Sequence, residues 1–172
     1  MERLVTTVPQ ARRLHDVPTL NELVELHDAQ LVAICIVAGA HPDLAREAVQ
    51  NAWVRASRRL DSVRDASRVR QWLIRIAINE LRQLWRKQRS VDRKTLPLEA
   101  ASGARSPVTA GDLDLAAALA RLSRMDRELI ALTYIAGFAP AEVGAVLGLS
   151  AGAIRTRRSR ALAHLRKDLQ RE

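Results

Sequence analysis

Apolar residues recur every three or four positions along most of the chain, which is the spacing of an amphipathic helix. One such stripe follows Thr19, which forms a capping-box pattern with Glu22. A second begins at Pro42, a residue suited to the first turn of a helix. A third follows Ser67, which we expect to cap its helix. No stretch alternates with the period of two typical of half-buried strands, so the sequence predicts helices alone.

The helical pattern fails between residues 89 and 111, where Pro, Gly, Ser and Thr are frequent and no apolar face recurs. Such a stretch is typical of a linker. The expected fold is therefore all-α, with two small helical domains joined by a flexible linker, at opposite ends of a tether. The expected segments are a tail (1–18), a first domain (19–89), the linker (90–111) and a second domain (112–172).

The second domain is expected to contain four helices. Asp112 or Asp114 can cap a short first helix, and Ser123 can cap a second helix that stops at Gly137. Two more helices follow, and they make the strongest motif of the chain.

This motif covers residues 140–160, PAEVGAVLGLSAGAIRTRRSR. A helix opened by Pro140, a turn at Gly148 and a helix capped by Ser150 form a helix-turn-helix pattern, with Gly144 small where the helices cross. The second helix would present one face to DNA, because Arg can bind guanine in a bidentate manner and Ser or Thr can bind base edges. Neighbouring arginines could hold phosphates. The candidate residues are Arg155, Thr156, Arg157, Ser159 and Arg160.

The charge of the chain supports a nucleic-acid partner. The net charge is +9 in 172 residues. All of the excess positive charge lies in two blocks, residues 55–94 and 151–172, and each block lies largely on a predicted helix. A polyanion contacted at two places is the natural partner of such a chain.

The first basic block combines cations with aromatic and amide side chains, a combination that suits single-stranded DNA. A base can stack on a ring while Arg holds the backbone, and an amide can read a base edge. Trp85 follows the apolar stripe and is expected in the core, whereas Trp72 and Asn79 fit a structural or a DNA-binding role. The candidate residues are Trp72, Arg75, Asn79, Arg82 and Arg86.

Other kinds of site have little support. The chain has one cysteine, Cys35, which lies in an apolar helix and is expected to be buried. The four histidines are dispersed, although His41 precedes Pro42 and can cap its helix, and no metal site or cofactor is expected. We find no phosphate-binding glycine loop and no pair of a nucleophile and a base, so an enzyme is not expected. No apolar run is long enough to cross a membrane and no secretory signal opens the chain, so a cytoplasmic protein is expected.

Three stretches together resemble an extracytoplasmic-function sigma factor of the main bacterial sigma family. DLAREAVQNAWVRASRRL (43–60) resembles the family's segment for binding core RNA polymerase. SRVRQWLIRIAINELRQLWRKQR (67–89) resembles the helix that melts and reads the −10 promoter element. Residues 119–166 resemble the domain that reads the −35 element.

The resemblance implies a role for each candidate. Asp43, Glu47 and Gln50 match polar positions that face the polymerase. The candidate residues of the first basic block match positions near the melted −10 strand. The loop 63–70 matches the loop that, in the family, holds a flipped base. The helix-turn-helix residues match the −35 reading face. The implied partners are core RNA polymerase, promoter DNA and an anti-sigma factor.

The sequence departs from the family pattern at several of these positions. Asn51 replaces a usual Glu, Asp28 stands where an aromatic residue is common, and Ala151 and Ala153 replace a usual Glu and Thr. Arg158 interrupts an apolar stripe and is expected to reach solvent or a carboxylate.

Two alternatives stay open on the sequence alone. One is a stand-alone helix-turn-helix regulator, although the Arg- and Trp-bearing helix of the first domain is not expected in such a protein. The other is a helical interaction protein that has lost promoter function, which the departures from the family pattern allow.

Overall fold

A computed structural model describes residues 18–63, 65–92 and 110–170, and every regular element in those ranges is helical. The α-helices are α1 (Leu20–Val37), α2 (Pro42–Ser57), α3 (Val69–Asp92), α4 (Ala110–Arg121), α5 (Arg124–Ile130), α6 (Pro140–Leu147) and α7 (Ala151–Leu169). Two short 3-10 turns, Leu60–Ser62 and Ala66–Arg68, lie between α2 and α3, and a π-helical turn, Ala131–Ile135, continues α5. The all-α prediction is confirmed. Most of the predicted linker, and the tail up to residue 17, lie outside the described residues.

Most of the predicted helix starts are found where the capping residues placed them. The Thr19 hydroxyl accepts from the Glu22 amide while the Glu22 carboxylate accepts from the Thr19 amide, at 2.7 Å. The hydroxyls of Ser123 and Ser150 cap α5 and α7 by accepting from the backbone amides of Asp126 and Ala153. The His41 ring caps α2 by accepting from the backbone of Asp43.

Two of the predicted caps are wrong. Ser67 lies inside a 3-10 turn, which opens where the Asp65 carboxylate accepts from the Ser67 amide at 3.0 Å, and α3 begins only at Val69. The chain is already helical at Ala110, so Asp112 and Asp114 lie within α4. Neither can cap that helix, because an N-cap residue has a non-helical backbone.

Helices α1, α2 and α3 form one bundle, the N-terminal helix set. The buried stripe of α2 is almost entirely alanine, and small side chains allow α2 to lie close against its neighbours. Leu73, Ile74, Ile78 and Leu81 of α3 fill the space opposite and are fully buried. The bundle therefore fixes which residues of α3 point away from it.

Helices α4 to α7 form the C-terminal helix set, which contains the helix-turn-helix. Gly144 of α6 lies so close to the start of α7 that a Cβ atom there would be 2.4 Å from the carbonyl oxygen of Leu149. Gly148, with a φ of 73°, makes the left-handed turn between the two helices. Both glycines hold the positions that the sequence predicted for them.

The two helix sets pack directly against each other, whereas the sequence predicted two domains at opposite ends of a flexible linker. Helix α1 lies along α5 and its π-helical turn, and one continuous apolar core joins both sets. The carbonyl groups at the end of the π-helical turn are capped by side chains of the N-terminal set. Gln30 donates to the Ile135 carbonyl at 3.1 Å, and Arg70 donates to the Ala136 carbonyl at 2.7 Å. The positive charge of the Arg70 guanidinium stabilises this helix end, because the last carbonyls carry partial negative charge.

Candidate nucleic-acid interface

Helix α3 presents a row of polar side chains that its own bundle does not cover. Arg75, Asn79 and Arg86 are exposed, and their spacing places them on one face. Arg82 belongs to the same face but is only partly exposed. The structure therefore brings together the residues that the sequence assigned to the −10 element.

A cavity of about 460 Å³ lies at the N-terminal end of this face. Trp72 and Arg75 line one side, and the loop through Asp65 lines the other. Trp72 is half-buried, with part of its ring packed on the core and part on the cavity. Hydrogen bonds from Ser67 lower the pKa of the Asp65 carboxyl, so it is anionic at neutral pH and holds the loop in shape. An aromatic ring beside a cation in a cavity of this size can receive an unstacked base.

Arg82 is held by the C-terminal helix set. Its guanidinium forms an ion pair with Glu128 of α5 and donates to the Val146 carbonyl at 3.1 Å. The Glu128 side chain is 5% exposed and that of Arg82 is 26% exposed. A carboxylate buried to this extent needs a cationic partner. In this arrangement Arg82 is occupied by protein.

Two further contacts connect α3 to the C-terminal set. The Gln71 amide donates to Glu142 of α6. The Arg124 guanidinium lies 4.2 Å from the centre of the Trp85 ring. Trp85 is 7% exposed, as expected for a core residue. Sequence reasoning missed Glu128 as the partner of Arg82; its only signal is a carboxylate directly before the apolar run 129–132.

Helix α7 divides its arginines between two faces. Arg155, Ser159 and Arg160 are exposed on the outer face of the helix-turn-helix, together with Thr156, whose hydroxyl donates to the Gly152 carbonyl. Arg157 lies elsewhere: it donates to the Asp126 carboxylate at 2.6 Å and to the Ser123 hydroxyl at 3.2 Å. Because this pair fixes α7 to the start of α5, we assign Arg157 a structural role here, and its DNA contact stays a prediction.

Helix α2 places the residues expected to meet the polymerase on one exposed face. Asp43, Glu47 and Gln50 are all exposed and lie four and three residues apart. The next position in this row is Val54, which is 52% exposed and which sequence reasoning did not single out. A polar row that ends in an exposed apolar side chain is suited to a protein partner.

Two of the departures from the family pattern have a structural account. Asp28 accepts from the indole nitrogen of Trp53 at 2.8 Å, which ties α1 to α2. Arg158 is half-buried on α7, beside the stripe of Ile154, Ala161 and Leu165 that packs on the core. Asn51 is exposed, one position from Gln50.

Within the described ranges, no group of three or more His, Cys, Asp or Glu side chains could hold a metal ion. The described helices also include none with the length and apolar character needed to cross a membrane.

Comparison with known proteins gives the family. Residues 23–91 match the family Sigma-70 region 2, and residues 118–167 match Sigma-70, region 4. RNA polymerase sigma factor CnrH of Cupriavidus metallidurans is 33% identical over 160 residues, which cover 84% of this chain and 83% of that protein. RNA polymerase sigma factor NccH of Alcaligenes xylosoxydans xylosoxydans is 30% identical, over 87% of this chain and 86% of the relative.

Two solved structures share the arrangement of helices. The sigma factor RpoE of Bartonella quintana, in complex with the anti-sigma factor NepR, superposes with a TM-score of 0.76 at 31% identity. The match covers 87% of this chain and 95% of RpoE. CnrH in complex with the cytosolic domain of CnrY gives a TM-score of 0.64 at 30% identity and covers 89% and 88% of the two chains.

The helix-turn-helix and the basic helix α3 define a two-part DNA-binding protein of the sigma-70 type. The chain belongs to the extracytoplasmic-function sigma factors, which direct core RNA polymerase to promoters in transcription initiation. Sigma factors as a class are not enzymes.

Proposed function

We propose that this sigma factor contacts its promoter at two points, with α7 on the duplex −35 element and the exposed face of α3 on the melted −10 strand. The observation that carries this proposal is the cavity between Trp72, Arg75 and the Asp65 loop. It lies at the end of the polar row of α3, where an unstacked base would be next to cations that hold its backbone.

Each surface has its own task in this proposal. Arg155, Thr156, Ser159 and Arg160 read the −35 element, while Arg75, Asn79 and Arg86 hold and read the −10 strand beside Trp72. Asp43, Glu47 and Gln50 on α2 bind core polymerase. The proposed domains are 19–89 and 112–172, with the linker 90–111 between them, although α3 ends at Asp92 and α4 begins at Ala110.

Promoter binding requires the two helix sets to separate at Arg82. The guanidinium cannot hold a DNA phosphate and the buried Glu128 carboxylate at once. Transfer of Arg82 from Glu128 to DNA is therefore part of the proposed mechanism.

An anti-sigma factor is the proposed inhibitor of this chain. Both solved relatives were captured with such a partner, and both superpose on a structure in which the two helix sets are packed together. A partner that stabilises this packing keeps Arg82 from DNA. We further propose that the protein works in the cytoplasm and carries out no catalysis of its own.

Transcription in vitro tests the proposal. Core RNA polymerase supplied with this chain should give transcripts from specific start sites in a promoter library, and the same core without it should not. Core binding without any transcript would contradict the proposal and favour an interaction protein that has lost promoter function. Promoter binding by the chain without core would favour a stand-alone regulator.

A further inference from the structure

The contact between the helix sets creates a cleft lined with arginines. Its lining contains Arg82, Arg86 and Arg89 of α3 together with Arg124 and Arg127 of α5, and its volume is about 610 Å³. We call this the arginine cleft. Glu128 is the one carboxylate among its lining residues, and Met125 and Leu147 complete the lining.

Positive charge in the arginine cleft is not balanced by the residues that form it. Glu128 is already paired with Arg82, so four guanidiniums share the remaining space. Arg127 donates to the carbonyls of Ala120 and Leu122, which orients it but leaves its charge uncompensated. Burial, and then the nearby charge of Arg89, lower the pKa of Arg124, while Glu128 acts in the opposite direction. Packing the two helix sets together therefore brings like charges close.

We propose that the arginine cleft binds a compact anion carrying several linked phosphate groups, and that the bound anion holds the two helix sets together. Guanidinium groups bind phosphate oxygens in a bidentate manner, and several around one cavity favour a ligand with several phosphates. The volume is in the range of small-molecule sites. A ligand that binds α3 and α5 at once stabilises the arrangement in which the two helix sets are packed together, because only then do both helices line the cleft.

The proposed ligand also competes with DNA, and this part rests on the proposed function. Arg82 and Arg86 line the arginine cleft and belong to the −10 face of α3. A phosphate compound in the cleft would occupy Arg86, and by keeping α3 against the C-terminal helix set it would leave Arg82 paired with Glu128. Binding of the compound itself does not depend on promoter activity.

Calorimetric titration with inorganic tripolyphosphate tests the binding. The full chain should bind one tripolyphosphate, and sulfate at equal ionic strength should bind far more weakly. Arg89→Gln and Arg124→Gln should each weaken binding by roughly tenfold or more, as loss of a charge-assisted hydrogen bond does. Neither residue belongs to the proposed DNA-reading faces.

The matched control is Arg58→Gln, which removes one exposed cation outside the cleft and should leave the affinity unchanged. Absence of saturable binding would overturn the proposal. Equal weakening by Arg58→Gln would overturn it too, because binding would then follow net charge. A penta-glutamate peptide that binds as tightly as tripolyphosphate would show a site for acidic protein segments instead.

Fluorescence transfer between dyes on Ser57→Cys and Ala163→Cys, one exposed position in each helix set, tests the closure. Tripolyphosphate should raise the transfer efficiency, and the Arg124→Gln variant should need at least about tenfold more of it. An unchanged signal at saturating ligand would overturn the closure. A transcription assay without tripolyphosphate distinguishes failure of the proposed promoter function from failure of the proposed ligand site. A chain that is inactive in this assay but still binds tripolyphosphate refutes the promoter mechanism alone.

Discussion

Single residues determine how closely the helices of this protein approach. Gly144 lies against the backbone that begins α7, and only a missing side chain allows that approach. Cys35 lies fully buried in α1, and burial raises the pKa of its thiol to about 12. Both residues could be placed from the sequence, because a small residue at a helix crossing and a cysteine in an apolar stripe leave few alternatives.

Replacing Gly144 by Ala should destabilise the protein by about 1–3 kcal/mol, because the added methyl group meets the Leu149 carbonyl, which cannot move without shifting α7. Urea unfolding of the full chain measures this change. Gly152→Ala is the matched control, because Gly152 is helical and its nearest neighbour would be 3.9 Å away. That variant should be neutral or more stable by up to about 1 kcal/mol. Equal losses in both variants would contradict the close approach at Gly144.

The Cys35 thiol should resist modification in the native protein. Only the thiolate reacts with an aromatic disulfide reagent, and a pKa of about 12 leaves almost none at pH 8. Native protein should therefore react far more slowly than protein in concentrated denaturant, where one thiol per chain should react at once. Rapid reaction of the native chain would show that α1 opens easily.

Elements of this fold carry different tasks on different faces. Helix α7 places its outer arginines toward solvent and Arg157 toward Asp126, so neighbouring residues of one basic run have different surroundings. The basic run was evident in the sequence. The Arg157 contact was not, because its partner lies 31 residues away on another helix.

Variants of α7 should therefore separate into two groups. Arg155→Ala and Arg160→Ala should each reduce discrimination between −35 sequences by roughly 1–3 kcal/mol without changing stability. Arg157→Ala should instead lower the free energy of unfolding by about 1 kcal/mol, because it loses a hydrogen-bonded ion pair. Competition binding with a panel of −35 duplexes and urea unfolding measure the two effects. Unchanged discrimination in both outer variants would remove them from the reading face.

On α3, the Asn79→Ala variant should impair promoter opening more than initial binding. Asn79 is exposed on the face assigned to the unpaired strand, and its amide can read a base edge. Permanganate reactivity of unpaired thymines reports opening, and footprinting reports initial binding. Equal loss in both measurements would assign Asn79 to the fold of α3 instead.

At the scale of the molecule, the main finding is the packing of the two helix sets. Helix positions and most caps followed from local sequence, because apolar periodicity and capping residues act within a few positions. The contact between Arg82 and Glu128 did not, since the two residues are 46 positions apart and the sequence between them includes a stretch with no recurring apolar face. Nothing local indicates that a buried carboxylate on one set meets, on the other, a residue that the sequence assigned to the −10 strand.

The Glu128→Gln variant should bind a single-stranded −10 oligonucleotide more tightly, by roughly tenfold, or about 1.4 kcal/mol. Arg82 then loses the buried charge that competes with DNA. Fluorescence anisotropy with a labelled oligonucleotide measures the affinity. Glu25→Gln removes the same charge from an exposed site on α1 and should have a much smaller effect. If both variants gain the same affinity for the oligonucleotide, the change in net charge explains the result, and release of Arg82 does not.

In the proposed mechanism, the ion pair between Arg82 and Glu128 also sets what fraction of the protein can bind DNA at any moment. If one molecule in a hundred has separated helix sets, the apparent affinity of the protein for promoter DNA falls about a hundredfold below the intrinsic value. A cell could then hold a stock of this sigma factor that stays silent without being degraded. Small changes in that fraction, brought about by a partner or a ligand, would alter transcription in proportion and without new protein synthesis.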